Sequence, residues 1–284
     1  MRKQYILRLM VLLNIFIIFS KCHNNNTDNI CSVNDSLHWV STSTGCLHIY
    51  TYRSNKILSN PNLVIVIHGD APFNKPGYQY LMAKKIAERN SNSIAIGLLR
   101  PGYTDPDGNT SAGKKGLTTG DNYTEEVINA ISEAIEHFKS LYHPNKIILV
   151  GHSGGAAISA DIIGLKPGLI DEAVIVSCPC NVSRWRNYMG KQQPENPAWR
   201  DSVRSISPID VADKISKNTE VLIISGEKDS IAPTELSVEY YNKLKTNGIK
   251  SRLIKVPNQG HEILLNDSVF ATLKTIISQS NSIK

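Results

Sequence analysis

Ser153 stands in the run "KIILVGHSGGAAISA", residues 146–160, where a β-branched and leucine-rich segment ends abruptly in Gly-His-Ser-Gly-Gly and small helix-forming residues follow. A serine hydroxyl is a weak nucleophile, so chemistry here needs a base to take its proton and donors to hold charge on an attacked carbonyl. A sharp strand-to-helix turn serves both needs: it lifts the hydroxyl above the sheet end and aims the free N–H groups of the new helix at the developing oxyanion. Gly151 and Gly155 allow neighbouring chain to come close, and the Gly154 N–H is the expected first oxyanion donor.

A base is expected further along. Of the eight histidines, His261 in "PNQGHEILL" follows the last strand-like run and precedes the last helical pattern, where catalytic groups of such sheets collect. His152 is adjacent to the serine and directed away from it. The acid that would orient the His261 imidazole is Asp229 in "ISGEKDSIAP", with Glu227 as local competitor and Asp201 and Asp210 as weaker candidates. A second oxyanion donor is expected from "HGDAP", residues 68–72, through the backbone N–H of Asp70 or Ala71.

The elements that would position these groups are legible as periodicity. Residues 37–52 alternate like a hairpin about a turn at Gly45. Apolar runs of strand length then recur at 63–69, 93–99, 146–151, 172–178, 220–226 and 251–257, as for strands buried on both faces of a parallel sheet. Helical spacing fills 78–90 and 123–142, and further helices are expected to begin near Ser153, Pro233 and Glu262. Alternating strands and helices predict an α/β fold, a mostly parallel twisted sheet with helices on both faces and an antiparallel N-terminal hairpin. Two stretches lack this pattern, 100–123 and 178–205, and both are expected to be active-site loops. The second, a lid-like insertion, holds Trp185, Tyr188, Met189 and Trp199 as expected pocket walls, with Arg184, Arg186 and Arg200 expected to meet a substrate carboxylate.

The 284-residue chain carries a net charge of +6, but four unopposed basic residues (Arg2, Lys3, Arg8, Lys21) leave only +2 beyond residue 21, which argues against a nucleic-acid partner. Those residues flank an apolar run at 9–19 in the layout of a secretory signal peptide over 1–22, too short for a comfortable membrane span. The alternative is an uncleaved membrane anchor. "FSKC" resembles a bacterial lipobox ending in Cys22, with Lys21 in place of a small residue. A polar segment, 23–36, separates this leader from the domain at 37–284. Export to a periplasmic or extracellular space permits disulfides. Cys31 with Cys46 is the expected pair, and a bridge between Cys178 and Cys180, around Pro179, is expected to be strained. No metal site follows from these spacings.

Five fragments, "HGD", "RPGY", "GHSGG", "GEKDSIAP" and "QGHE", occur in an order and at strand ends that resemble the α/β-hydrolase superfamily from about Leu37 onward. The layout is similar to dienelactone hydrolases and to the catalytic domain of prolyl-oligopeptidase-type serine peptidases. The resemblance implies an α/β-hydrolase fold, nucleophile Ser153, acid Asp229 and base His261, no cofactor, and an acyl-enzyme. The superfold hosts many acyl-transfer activities, so it does not name the substrate. The leading expectation is a small-molecule carboxylic ester, favoured over a short peptide cleaved by a peptidase of prolyl-oligopeptidase type because the chain is expected to leave no room for the propeller that accompanies such peptidases. A catalytically silent hydrolase-fold surface protein is the reading from a different class.

Overall fold

The computed structural model describes Cys31, residues 36–71 and residues 74–281. The expected signal peptide, Cys22 and most of the polar segment lie outside the described residues. Among the described residues no helix is long and apolar enough to cross a membrane.

In chain order the elements are β1 (Trp39–Thr42), β2 (Gly45–Arg53), β3 (Asn62–Ile67), α1 (Tyr78–Arg89), β4 (Ser93–Leu98), α2 (Glu125–Tyr142), β5 (Lys146–His152), α3 (Gly154–Leu165), β6 (Glu172–Val176), α4 (Val182–Gln192), α5 (Pro208–Val211), β7 (Glu220–Gly226), α6 (Thr234–Thr246), β8 (Ser251–Val256) and α7 (Asp267–Asn281). The strands form one sheet in the order β1-β2-β4-β3-β5-β6-β7-β8. The β1–β2 hairpin pairs antiparallel onto β4, and every later pairing is parallel. This is the expected α/β-hydrolase fold.

The two-faced burial inferred from the apolar runs is present. Along β3, Leu63, Ile65 and Ile67 pack with Ile128, Ile131 and Phe138 of α2 and with α3, whereas Val64 and Val66 pack with Met82 and Ile86 of α1 and Leu273 of α7. Every residue of β3 and β4 is buried. Burial of each such aliphatic side chain contributes about 1.5–3 kcal/mol. The helix α2 starts where Thr124 accepts the Val127 N–H and where Glu125 and Glu126 meet the positive end of the helix dipole.

Two local expectations need correction. The last helix begins at Asp267, not near Glu262, because Asn266 caps it: its Oδ1 accepts the Ser268 N–H at 2.9 Å and its carbonyl accepts the Val269 N–H. Residues 262–266 are left as a turn that carries His261 to the sheet end. The expected Cys31–Cys46 bridge is formed, and Cys178 and Cys180 are bridged as well. The left-handed backbone of Ser177 (φ 51°) turns the chain out of β6, and the two Cα atoms across Pro179 come to 5.1 Å, an ordinary span for a disulfide.

Asp161 on α3 is fully buried, and neither carboxylate oxygen has a hydrogen-bond partner among the described residues. Burial, and then the nearby Asp210, push its pKa well above the usual carboxylate range. A raised folded-state pKa gives stability that is complete below the unfolded pKa and is lost as pH rises toward the folded value. Asp161→Asn removes that dependence. Its stability advantage over the native chain should therefore grow above about pH 4, by up to about 1.4 kcal/mol per pH unit until the folded-state pKa is reached. Urea unfolding of both proteins between pH 4 and 8 checks this, and parallel stability curves would refute it.

Candidate active site

Ser153 occupies the junction between β5 and α3 with φ 53° and ψ −120°, a left-handed value costly for a residue with a Cβ. The surrounding chain is packed too closely for larger residues. A Cβ on Gly155 would lie 2.4 Å from the carbonyl oxygens of Ile67 and His68, and one on Gly151 would lie 2.3 Å from the Gly155 oxygen. That crowding fixes the elbow and exposes the hydroxyl to the cleft.

The three groups expected to converge do so. His261 Nε2 is 2.9 Å from Ser153 Oγ, and its Nδ1 is 3.0 and 2.9 Å from the two carboxylate oxygens of Asp229. Asp229 sits just beyond β7, where its Oδ1 also accepts the N–H groups of Ile231 and Ala232 at 2.9 and 2.8 Å. One carboxylate thus closes its own turn and orients the imidazole. Glu227, the local competitor, is exposed. The His261 side chain is 9 % exposed and that of Asp229 fully buried, so their pairing is largely shielded from solvent.

Gly154 is the first residue of α3, and its N–H has no hydrogen-bond partner among the described residues; the same holds for the Asp70 N–H. The Ala71 N–H is instead directed at the Tyr103 hydroxyl, whose pKa burial raises to about 12. Of the two donors left open by the sequence, Asp70 is the one whose N–H stays available. Its side chain is held from behind: Arg100 Nη1 donates at 2.8 Å, Tyr123 Oη at 2.7 Å and the Gly120 N–H at 3.0 Å. His68 joins this network by accepting the Arg100 N–H on Nε2 at 3.0 Å.

A cleft of about 510 Å³ opens over Ser153 and His261. Its apolar wall is Trp185, Met189, Trp199 and Ile231, and its rim includes Thr119, Gln193, Lys75 and Glu262. Both indoles have their polar edges occupied, Trp185 Nε1 by the Ile231 carbonyl at 2.7 Å and Trp199 Nε1 by Gln193 Oε1 at 2.8 Å; Trp185 is buried and backs the wall, while the half-buried Trp199 presents ring surface. The rings meet edge to face at 5.5 Å.

Four expected substrate contacts fall elsewhere. Tyr188 leaves the other flank of α4 and lines a separate cavity with Arg184 and Leu236. Arg184 pairs with Glu239 at 2.8 Å. Arg186 is buried and donates to the carbonyls of Thr119, Ala198 and Asp201, tying two loops together, while Arg200 donates to the Pro194 carbonyl. None of these arginines lines the cleft, because backbone carbonyls and a glutamate already use their donors.

Sequence reasoning missed the ordered helix α4, whose signal was Asn181 as N-cap ahead of Val182, Trp185 and Met189 at spacings of three and four. It also passed over His152 and Tyr78, for which no local pattern exists. His152, His261 and Glu262 can place ligand atoms within 4.8 Å of one another. Both nitrogens of each imidazole, however, are already committed to hydrogen bonds within the protein.

A sequence model of the prolyl oligopeptidase family matches residues 108–277. A probable chloroplastic glutamyl endopeptidase from Oryza sativa subsp. japonica is 30% identical over 159 residues, covering 54% of this chain and 16% of the relative. The chain thus spans about a sixth of the length of that relative. Among solved structures, Est1E from Butyrivibrio proteoclasticus with bound ferulic acid shares 18% identity at a TM-score of 0.64, covering 86% of this chain and 99% of that one. An acylaminoacyl peptidase from Pyrococcus horikoshii aligns at a TM-score of 0.60 with 15% identity, covering 85% of this chain and 39% of that one. At these identities the two structures speak to the fold.

Proposed function

The chain belongs to the prolyl oligopeptidase family and is a serine hydrolase, and from that premise we propose that it cleaves small carboxylic esters with an apolar acyl group through a Ser153 acyl-enzyme. The observation that carries the proposal is the cleft itself: the hydroxyl, the imidazole and the carboxylate form one hydrogen-bonded line beside a wall of indole and aliphatic surface. In the first half-reaction Ser153 Oγ bonds to the ester carbonyl carbon as its proton passes to His261 Nε2. Asp229 holds the Nδ1–H and stabilises the imidazolium. The N–H groups of Gly154 and Asp70 hold the oxyanion. Collapse breaks the acyl–oxygen bond, and the departing alkoxide takes the proton from His261. Water, deprotonated by the same imidazole, then releases the acid and restores Ser153.

A panel of p-nitrophenyl esters from acetate to decanoate, run beside N-acylated peptide anilides, tests this. Turnover of the esters with kcat/KM rising along the acyl series supports the proposal, and cleavage confined to the anilides would replace it with the peptidase reading that the family also accommodates. Failure of a fluorophosphonate to label folded protein would favour a silent surface protein. Trp199→Ala should lower kcat/KM for decanoate about 10-fold, the worth of part of one aromatic wall, while acetate is almost unaffected. Equal losses for both esters would remove Trp199 from acyl recognition.

Export is part of the same proposal. Its support is the basic-then-apolar leader together with the two disulfides, which suit an oxidising compartment. Mass spectrometry of the mature N-terminus is the check; an intact Met1 in fractionated cells would count against it.

A further inference from the structure

Behind the triad runs a second line of hydrogen bonds. The Gly69 N–H meets Tyr78 Oη at 2.5 Å, Tyr78 Oη lies 3.0 Å from His152 Nδ1, and His152 Nε2 lies 3.1 Å from the carbonyl oxygen of His261. One proton assignment satisfies all three contacts. The amide can only donate, so the tyrosine oxygen accepts there and gives its own proton to Nδ1. The imidazole proton is then on Nε2, facing a carbonyl that can only accept. His152 is 2 % exposed, and burial, followed by the neighbouring His261, lowers its pKa to about 4, which keeps it in this neutral form.

The line spans the ends of three strands. Gly69 lies in the loop after β3, beside the Asp70 N–H; His152 ends β5; His261 lies in the loop after β8. The His152 and His261 rings are in contact with centroids 5.2 Å apart, so His152 also backs the imidazole that faces Ser153. The His261 carbonyl is further held by Ser177 Oγ at 2.9 Å. None of these bonds touches the reacting atoms.

We propose that His152, acting with Tyr78, is a positioning residue that locks the catalytic-histidine loop to the oxyanion loop, so that proton acceptor and oxyanion donor are registered as one unit. This rests on the serine-hydrolase reading of the site. Placement errors near 1 Å cost about 100-fold in such sites, which sets the scale of the effect.

The experiment uses the full chain with p-nitrophenyl butyrate and a fluorophosphonate probe. His152→Leu should lower kcat about 10- to 100-fold with little change in KM and slow probe labelling in proportion. His152→Gln, which retains a donor toward the His261 carbonyl, should recover most of that loss. Tyr78→Phe should lower kcat about 10-fold, and the Leu/Phe double variant should be no slower than the slower single one, because both break the same line. The downfield proton NMR signal of the His261–Asp229 bond should shift or broaden in the slow variants, which a general loss of stability would not cause. If His152→Leu does not fold, Tyr78→Phe, which deletes one oxygen, carries the test. Native rates and an unchanged downfield signal in a folded His152→Leu or Tyr78→Phe protein would overturn the proposal. Labelling of the native chain that is lost in Ser153→Ala reports on the serine-hydrolase reading separately; an unlabelled native chain would sink both.

Discussion

Ser153→Ala is expected to reduce kcat by on the order of 10⁵- to 10⁶-fold and to abolish fluorophosphonate labelling, with the fold intact. The reason lies in the elbow. Among the described residues only Oγ is both 2.9 Å from His261 Nε2 and beside the Gly154 N–H, which has no partner there, and alanine removes it without disturbing the packing of Gly151 and Gly155. His261→Ala should cost about as much, and the double variant little more, because nucleophile and base act as one unit. Steady-state assays with burst-phase detection give the comparison. Retention of more than about a hundredth of native kcat in Ser153→Ala would exclude an acyl-enzyme at this residue.

The second large effect concerns stability. Arg100 is fully buried at the end of β4, with its guanidinium stacked 4.9 Å from the Tyr103 ring centroid and donating to Asp70 at 2.8 Å. Arg100→Met would leave the Asp70 carboxylate buried with only the Tyr123 hydroxyl and the Gly120 N–H as donors. Breaking such a pair from one side costs about 3–5 kcal/mol, a large share of a domain's stability. It would also loosen the backbone that presents the Asp70 N–H, so kcat should fall along with the urea midpoint. Removing both charges, as in Arg100→Met with Asp70→Leu, should recover much of the stability, since no lone ion is then buried. A single Arg100→Met variant within about 1 kcal/mol of native would show that the pair is dispensable.

How much of this was legible follows from the range of the interaction that decides each feature. Ser153 was readable as the candidate nucleophile because the elbow is local: four apolar residues, one strained position and a small-residue helix lie within a span of fifteen residues. The order Ser153, Asp229, His261 was readable because parallel crossovers deliver successive strand ends to one side of the sheet, and the structure confirms the convergence at 2.9 Å. The choice between Asp229 and Glu227 also follows local chemistry, since the Asp229 side chain closes its turn through two backbone N–H groups.

The insertion 178–205 shows where such reading stops. Trp185, Tyr188 and Trp199 look alike as large aromatic residues in an aperiodic stretch, yet only the two tryptophans face the cleft, because α4 has a direction that sequence spacing did not reveal amid three prolines. The arginines look like anion receptors until distant carbonyls at Thr119 and Asp201 claim Arg186.

The sequence by itself determined the alternation of strands and helices, the two-faced burial of the sheet and which serine, histidine and aspartate meet at the sheet end, since these depend on side-chain type and on spacing within one or two elements. Tertiary structure alone decided which loop N–H is left without a partner among the described residues, which aromatic rings wall the cleft, that Cys178 meets Cys180, and that His152 and Tyr78 stand beside the Ser153–His261–Asp229 line. Those features arise where segments tens of residues apart are packed against one another, and the free energy of such contacts depends on a geometry that no stretch of the chain carries on its own.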